Sequence, residues 1–258
     1  TTVAFNQGDL LDLFAHAGDL TGSLVAADKA VQVFGGHYCT QVPIGVAACD
    51  HIEESMFPRQ TLARDYIVTS PATAGLPNGR VRILRILAAD SGIALSYDPP
   101  QGGAPAALAN VGDFVQIGPT AEAFKITADK RIMVTEYMVG QDYDGQEGDP
   151  AFTLAVPTDQ YRTNYQFHAP LSYTTNYVNV VAQTGATVTL DGAAVGGFQT
   201  IGGTGMSVAR VPLGAGLGGN GNHQISSSNP FGITVYGYGS YTSYWYPGGL
   251  NLDEIIIQ

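Results

Sequence analysis

Three stretches decide the fold: Ser23-Leu-Val-Ala-Ala-Asp28-Lys-Ala-Val-Gln-Val33-Phe-Gly-Gly36, Ala123-Phe-Lys-Ile-Thr-Ala-Asp129-Lys-Arg-Ile-Met-Val134 and His223-Gln-Ile-Ser-Ser-Ser-Asn229-Pro-Phe-Gly-Ile-Thr-Val235. Each reads as a strand, a polar corner and a second strand, because apolar residues alternate on both sides of the corner. The corner residues Asp28, Asp129 and Asn229 lie 101 and then 100 positions apart. A chance likeness would not keep step, so the spacing marks an internal repeat of sandwich size. Asp and Asn suit such a corner because their short side chains bond the backbone where it turns.

The same period-2 alternation recurs at Val81–Leu87, Ile93–Tyr97, Phe114–Ile117, Tyr177–Ala182, Thr187–Leu190 and Val208–Leu213. Only His51–Tyr66 carries a helical reading. Gly8-Asp9, Gly112-Asp113, Asp144-Gly145, Asp191-Gly192 and the run Gly214–Gly221 supply turns. The expected fold is all-β: tandem small antiparallel β-sandwich units, about three with the first incomplete, packed into one elongated or compact assembly. The expected boundaries are a truncated first unit over 1–80, a second over 81–172 and a third over 173–258. The apolar end Leu252–Ile257 is expected to fill the strand position that the first unit lacks, in its own chain or a neighbouring copy.

The 258 residues include 33 Gly but only 11 Lys+Arg and 22 Asp+Glu, a net charge of −11. The apolar share of 45% excludes disorder, and the lack of any basic stripe argues against nucleic-acid binding. No run of 18 apolar residues exists to span a membrane. Thr1 opens the chain without Met or a signal-peptide pattern, which reads as a processed or excised piece of a larger protein. Two nearby cysteines in a strand-rich chain with few lysines read as an extracellular or cell-surface protein.

Three clusters carry candidate chemistry. Cys39 and Cys49 are expected to form a disulfide; the alternative is a zinc site of His37, Cys39, Cys49 and His51, since residues two apart on a strand share a face. Asp142, Asp144, Glu147 and Asp149 place four carboxylates on a turning loop, a candidate calcium site whose alternative is a solvated acidic loop. In the segment Tyr236–Tyr246, Tyr236 and Tyr238 read as core, and Tyr241, Tyr244 and Trp245 as a binding surface. No catalytic residues are assigned: the five histidines are dispersed, no nucleophile elbow occurs, and the glycine runs lack the Lys of a phosphate-binding loop.

Val33-Phe-Gly-Gly-His37-Tyr-Cys39, Val46-Ala-Ala-Cys49-Asp50-His51-Ile-Glu-Glu, Gly148-Asp149-Pro150-Ala151, Leu190-Asp191-Gly192, Pro230-Phe-Gly-Ile-Thr-Val-Tyr236-Gly-Tyr238 and Ser243-Tyr-Trp-Tyr246-Pro-Gly-Gly-Leu250 together resemble the IgGFc-binding protein N-terminal domain family, in its bacterial branch. The resemblance runs from about Gly22 to Leu250. It implies a secreted or surface-attached multidomain protein of adhesive character, and no site residues that could be carried over. The Gly-Asp-Pro step is similar to a self-cleaving Gly-Asp-Pro-His sequence, but Ala151 replaces the His.

The function expected is therefore that of a non-enzymatic extracellular module for adhesion, surface attachment or structural assembly, binding protein or glycan through loops and aromatic residues. Its alternatives are a filament subunit assembled by strand complementation, with self-association through edge strands, a carbohydrate-binding module, and a secreted hydrolase using Asp142, Asp144 or a dispersed His. No cofactor is expected, with calcium at the acidic loop as the alternative.

Overall fold

The computed structural model describes residues 1–4, 6–76 and 79–256. A hairpin of β1 (Phe34–Thr40) and β2 (Asp50–Ser55) comes first. A 3-10 turn, Arg59–Thr61, then leads into β3 (Ala63–Val68), β4 (Arg82–Ala88), β5 (Ile93–Asp98), β6 (Ala107–Leu108), β7 (Phe114–Thr120), β8 (Phe124–Met138) and β9 (Phe152–Leu154). A second 3-10 turn, Thr158–Gln160, opens a matching series with one further short strand, β14: β10 (Arg162–His168), β11 (Thr175–Gln183), β12 (Val188–Leu190), β13 (Ala193–Ala194), β14 (Gln199–Ile201), β15 (Met206–Leu213), β16 (Asn222–Gly239) and β17 (Thr242–Pro247). The fold is all-β and antiparallel, as sandwich units require.

One long strand organises each unit. The first half of β8 pairs with β3 and β5 (Asp65↔Thr127, Leu95↔Ala128), while its second half pairs with β4 and β9 (Ile86↔Val134, Thr135↔Leu154). The strand thus turns a corner and belongs to both layers. In the second unit β16 does the same, its first half on β10 and β12, its second on β11 and β17. Alternate residues from both halves meet inside, Ile126, Ile132 and Val134 in one unit and Ile225, Phe231 and Val235 in the other.

The register sharpens the repeat. The pairs Ala63↔Ile132 and Asp65↔Thr127 reappear as Arg162↔Phe231 and Asn164↔Ser226, each residue displaced by 99. The structural counterpart of Asp129 is therefore Ser228, one position short of Asn229. The corner chemistry differs accordingly: Asp129 Oδ1 accepts from the Ala94 N–H, whereas the Asn229 N–H donates to Ser227 Oγ.

Three local expectations are corrected. His51–Tyr66 is strand, 3-10 turn and strand rather than helix, because β2 must pair with β1 and β3 with β8. No strand forms over 24–33; of its backbone groups, only the Val33 carbonyl joins the hairpin, accepting from the Met56 N–H. Within its own chain the C-terminal segment does not complete the first unit; it straps the two 3-10 corners together. Asn251 N donates to Gln160 O, Gln160 Nε2 donates to the carbonyls of both Thr61 and Asp253, and Ile255 N donates to Gln60 O. Ile257, the last apolar residue of that segment, lies outside the described residues.

The two units share a polar seam. Asn179 Nδ2 donates to Thr69 Oγ1 and to Ser70 O, Arg210 Nε donates to Ser70 O, and the Tyr236 hydroxyl donates to Asn179 Oδ1 while accepting from the Ala72 N–H. Buried polar groups satisfied in this way fix one relative placement of the units.

Candidate functional site: the loop and hairpin face

Between β1 and β2, Cys39 and Cys49 are joined in a disulfide with Cα atoms 5.1 Å apart. This pairing overturns the zinc alternative, because no thiolate remains to join His37 and His51. His37 Nδ1 instead accepts from the Cys39 N–H at 3.1 Å, and exposed His51 lies 3.4 Å from Glu53.

The acidic loop follows β8. Gln141–Asp144 makes a single helical turn, which Gly145 ends at φ 69°, a left-handed conformation that favours glycine. Arg80, almost fully buried, lies just ahead of β4, the strand beside β8 in the ladder: Nη2 lies 2.8 Å from Asp144 Oδ1, Nε 3.0 Å from Oδ2, and Nη1 donates to Glu147 O at 2.7 Å. Its guanidinium lies 5.0 Å from the centre of the Tyr238 ring. The other carboxylates face elsewhere. Glu147 Oε1 accepts from Thr174 Oγ1, and Asp149 Oδ1 accepts from the Gln141 N–H at 3.4 Å. Burial raises the Asp149 pKa, and the nearby Asp50 and Asp142 charges add to the rise. Among the described residues no group of three or more His, Cys, Asp and Glu gathers to hold a metal ion. The structure thus does not bring Asp142, Asp144, Glu147 and Asp149 together as one set of ligands, and Asp144 is engaged by Arg80.

The aromatic segment is split by its own alternation. Tyr236, Tyr238 and Trp245 pack in one core cluster with Met138 and Ala151, as expected for the two tyrosines. Trp245 is only 4% exposed, directly across the ladder from Tyr236, so it is core and not surface. Tyr244 and Tyr246 point to the opposite side, half-buried. Tyr244 meets Tyr173 edge-on with ring centres 4.7 Å apart and donates its hydroxyl to Asn176 Oδ1. The Tyr246 hydroxyl donates to His168 O, and burial pushes its pKa up to about 12. Tyr241, 54% exposed, sits at the hairpin tip with φ 53°.

Loop and hairpin form one face. The Tyr241 N–H donates to Gln141 Oε1, and the Asp149 N–H donates to Ser243 Oγ. Gly148, at φ 114°, lies so close to Tyr238 and Ser243 that a Cβ there would approach each to 2.6 Å. Tyr143 is exposed next to Asp142, and exposed Leu171 belongs to the segment whose Thr174 hydroxyl donates to Glu147 Oε1. A shallow depression of about 210 Å³, lined in part by Leu171, Tyr173, Tyr177 and Leu213, adjoins them. Sequence reading missed Tyr143, Leu171 and Tyr173, which lie in connecting segments without periodicity.

His168 and His223 serve local structure. His168 Nδ1 is 3.0 Å from Asn222 Oδ1; His223 Nδ1 is 2.6 Å from Asp191 Oδ2, with its ring stacked on Phe167. No helix among the described residues is long and apolar enough to cross a membrane. No curated protein sequence matches the chain. The family model described as IgGFc binding protein matches residues 1–237, which takes in the disulfide hairpin, the whole of the first closed unit and the second as far as Gly237, two residues short of the end of β16. The chain belongs to the IgGFc-binding protein family.

Proposed function

We propose that this chain is an extracellular binding module that serves adhesion or surface attachment through the face built by the 140–149 loop, the β16–β17 hairpin tip and the 170–175 segment. The observation that carries the reading is the joining of the loop to the hairpin by Gln141 and Ser243, which holds exposed Tyr143 and Tyr241 beside Asp142 and Glu147. Tyrosines give large contact area at small entropic cost, and fixed carboxylates choose among partners. The favoured partner is an extracellular protein with a basic, partly apolar patch. Family membership supports a binding role, and the family's description names the Fc portion of IgG as one protein to include among the ligands tested. The disulfide supports an extracellular setting.

The test is a binding screen of the whole chain against immobilised IgG Fc, extracellular-matrix and mucin proteins, and a glycan panel. Tyr241→Ser and Tyr143→Ser together should lower binding to a protein ligand at least about tenfold, the effect of losing two interface aromatics. Leu217→Ser, an exposed position outside the face, should leave it unchanged. Equal loss from both variants, or none from the tyrosine pair, would reject this face. Binding confined to the glycans would transfer the reading to a carbohydrate-binding module.

A further inference from the structure

We infer that residues 6–55 are the closing half of a third copy of the unit, and that residues 10–33 dock as strands onto the opening half of another such copy. The occupant is a polypeptide segment equivalent to Arg59–Leu108, supplied from outside these 258 residues.

The first observation is a duplicated turn. Asn6 donates from both its backbone N–H and Nδ2 to Asp9 Oδ2, at 2.7 and 3.3 Å; Asn110 does the same to Asp113 Oδ2, at 2.8 and 3.2 Å. In both turns the Asp N–H donates back to the Asn carbonyl, at 3.0 and 3.1 Å, and the intervening glycines, Gly8 and Gly112, have φ 92° and 84°. In the closed unit this turn launches β7.

The second observation is the register that follows. Counting on from the turns, Leu11 and Leu13 take the places of Val115 and Ile117, which pack against the core. Counting from the Asp-Lys corners at Asp28 and Asp129, Val25 and Val31 take the places of Ile126 and Ile132, both fully buried. Further on, Phe34↔Ser55 in the β1–β2 ladder corresponds to Thr135↔Leu154 in the β8–β9 ladder, displaced by 101 and 99 positions. The hairpin is therefore the end of one long strand and its closing partner.

The third observation is exposure. Leu13, Val25 and Val31 are 68%, 53% and 42% exposed in a segment without strand pairing. Backbone groups free to pair, with apolar residues in strand alternation, form half of a sheet that lacks its other half. The opening halves present in this chain, β3–β6 and β10–β13, are already closed by β8 and β16. A second copy of the chain could receive the segment only by first giving up one of those strands, which is why the partner is a free opening half.

The experiment joins a copy of Met56–Ala109 directly to Asn6, so that the Asn6–Asp9 turn takes the position that the Asn110–Asp113 turn holds in the closed unit. Hydrogen exchange of the extended protein should show the amides of 24–33 slowed at least about 100-fold against the unextended chain, as expected on joining a folded unit. Val25→Asp with Val31→Asp should restore the fast rate. Unchanged exchange at 24–33 while β3–β17 stays protected would overturn the inference. Sedimentation of the unextended chain provides the other arm: a monomer is expected, and a dimer that protects 24–33 would overturn it in favour of a second copy.

Discussion

Tyr66 and Tyr165, 99 residues apart, make the same contact in two units: each buried hydroxyl donates to a carbonyl oxygen of the long strand, Ile132 O for Tyr66 and Phe231 O for Tyr165. Each also accepts from the N–H three residues before it, Ala63 in one case and Arg162 in the other. The contact ties the strand that opens a unit to the bend that closes it. Burial raises the pKa of both hydroxyls, that of Tyr165 to about 12, so they remain donors throughout the physiological range.

Replacing either tyrosine with Phe leaves a buried carbonyl without its donor. Tyr66→Phe and Tyr165→Phe should each cost about 1–3 kcal/mol in urea unfolding. The two sites share no partner, so the double variant should lose close to the sum. A cost confined to one of the two would break the equivalence of the units.

Arg82 and Glu136 form a buried ion pair across β4 and β8, with Nε 2.8 Å from Oε2, and Arg82 Nη1 also donates to Ser70 Oγ and Thr120 O. Burial pushes the Glu136 pKa up, and the Arg82 charge works against that rise. Arg82→Met should cost about 3–5 kcal/mol, because it strands a buried carboxyl. Arg82→Met with Glu136→Leu should cost less than Arg82→Met alone, and denaturant titrations of the three proteins would check the order.

Glu54 sits in β2 with its pKa raised by burial from 4.5 to about 7, the neighbouring Glu53 charge adding to the rise. Its protonated form is the one that folding favours. The associated stability is present in full below about pH 4.5 and is lost as pH rises through about 7. Thermal melts between pH 4.5 and 8 should show a decline that Glu54→Gln flattens.

The disulfide closes the loop between β1 and β2, ten positions apart in sequence. Replacing both cysteines with Ser should cost the hairpin about 3 kcal/mol through the entropy of the open loop. Hydrogen exchange should quicken in β1 and β2, while the amides of β8 and β16 keep their protection.

Much of the fold was legible because the long strands carry their alternation on both sides of a polar corner. The corner was misplaced by one residue in the last copy, since Asn229 resembles Asp129 chemically while the ladder aligns Ser228 with it. Alternation also held the answer for Tyr244, Trp245 and Tyr246: three consecutive strand residues cannot share a face, and Trp245 is the one turned inward. The ion pair that engages the acidic loop was not legible, because Arg80 lies 64 positions from Asp144 and no local pattern shows such a partnership. Likewise, nothing in the spacing of Gln141 and Tyr241, 100 residues apart, announces that loop and hairpin build one face.

The central claim is that one β-unit occurs in this chain as two closed copies and one open half. Hydrogen exchange of the intact chain, mapped segment by segment, tests it most directly. The account predicts matching strong protection in both halves of β8 and β16, protection in β1–β2, and exchange at unprotected rates across residues 10–18 and 24–32, on either side of the Asp19–Ser23 turn that bonds to Arg85. Protection of 10–18 and 24–32 in the monomer, or fast exchange in one long strand while the other stays protected, would contradict it.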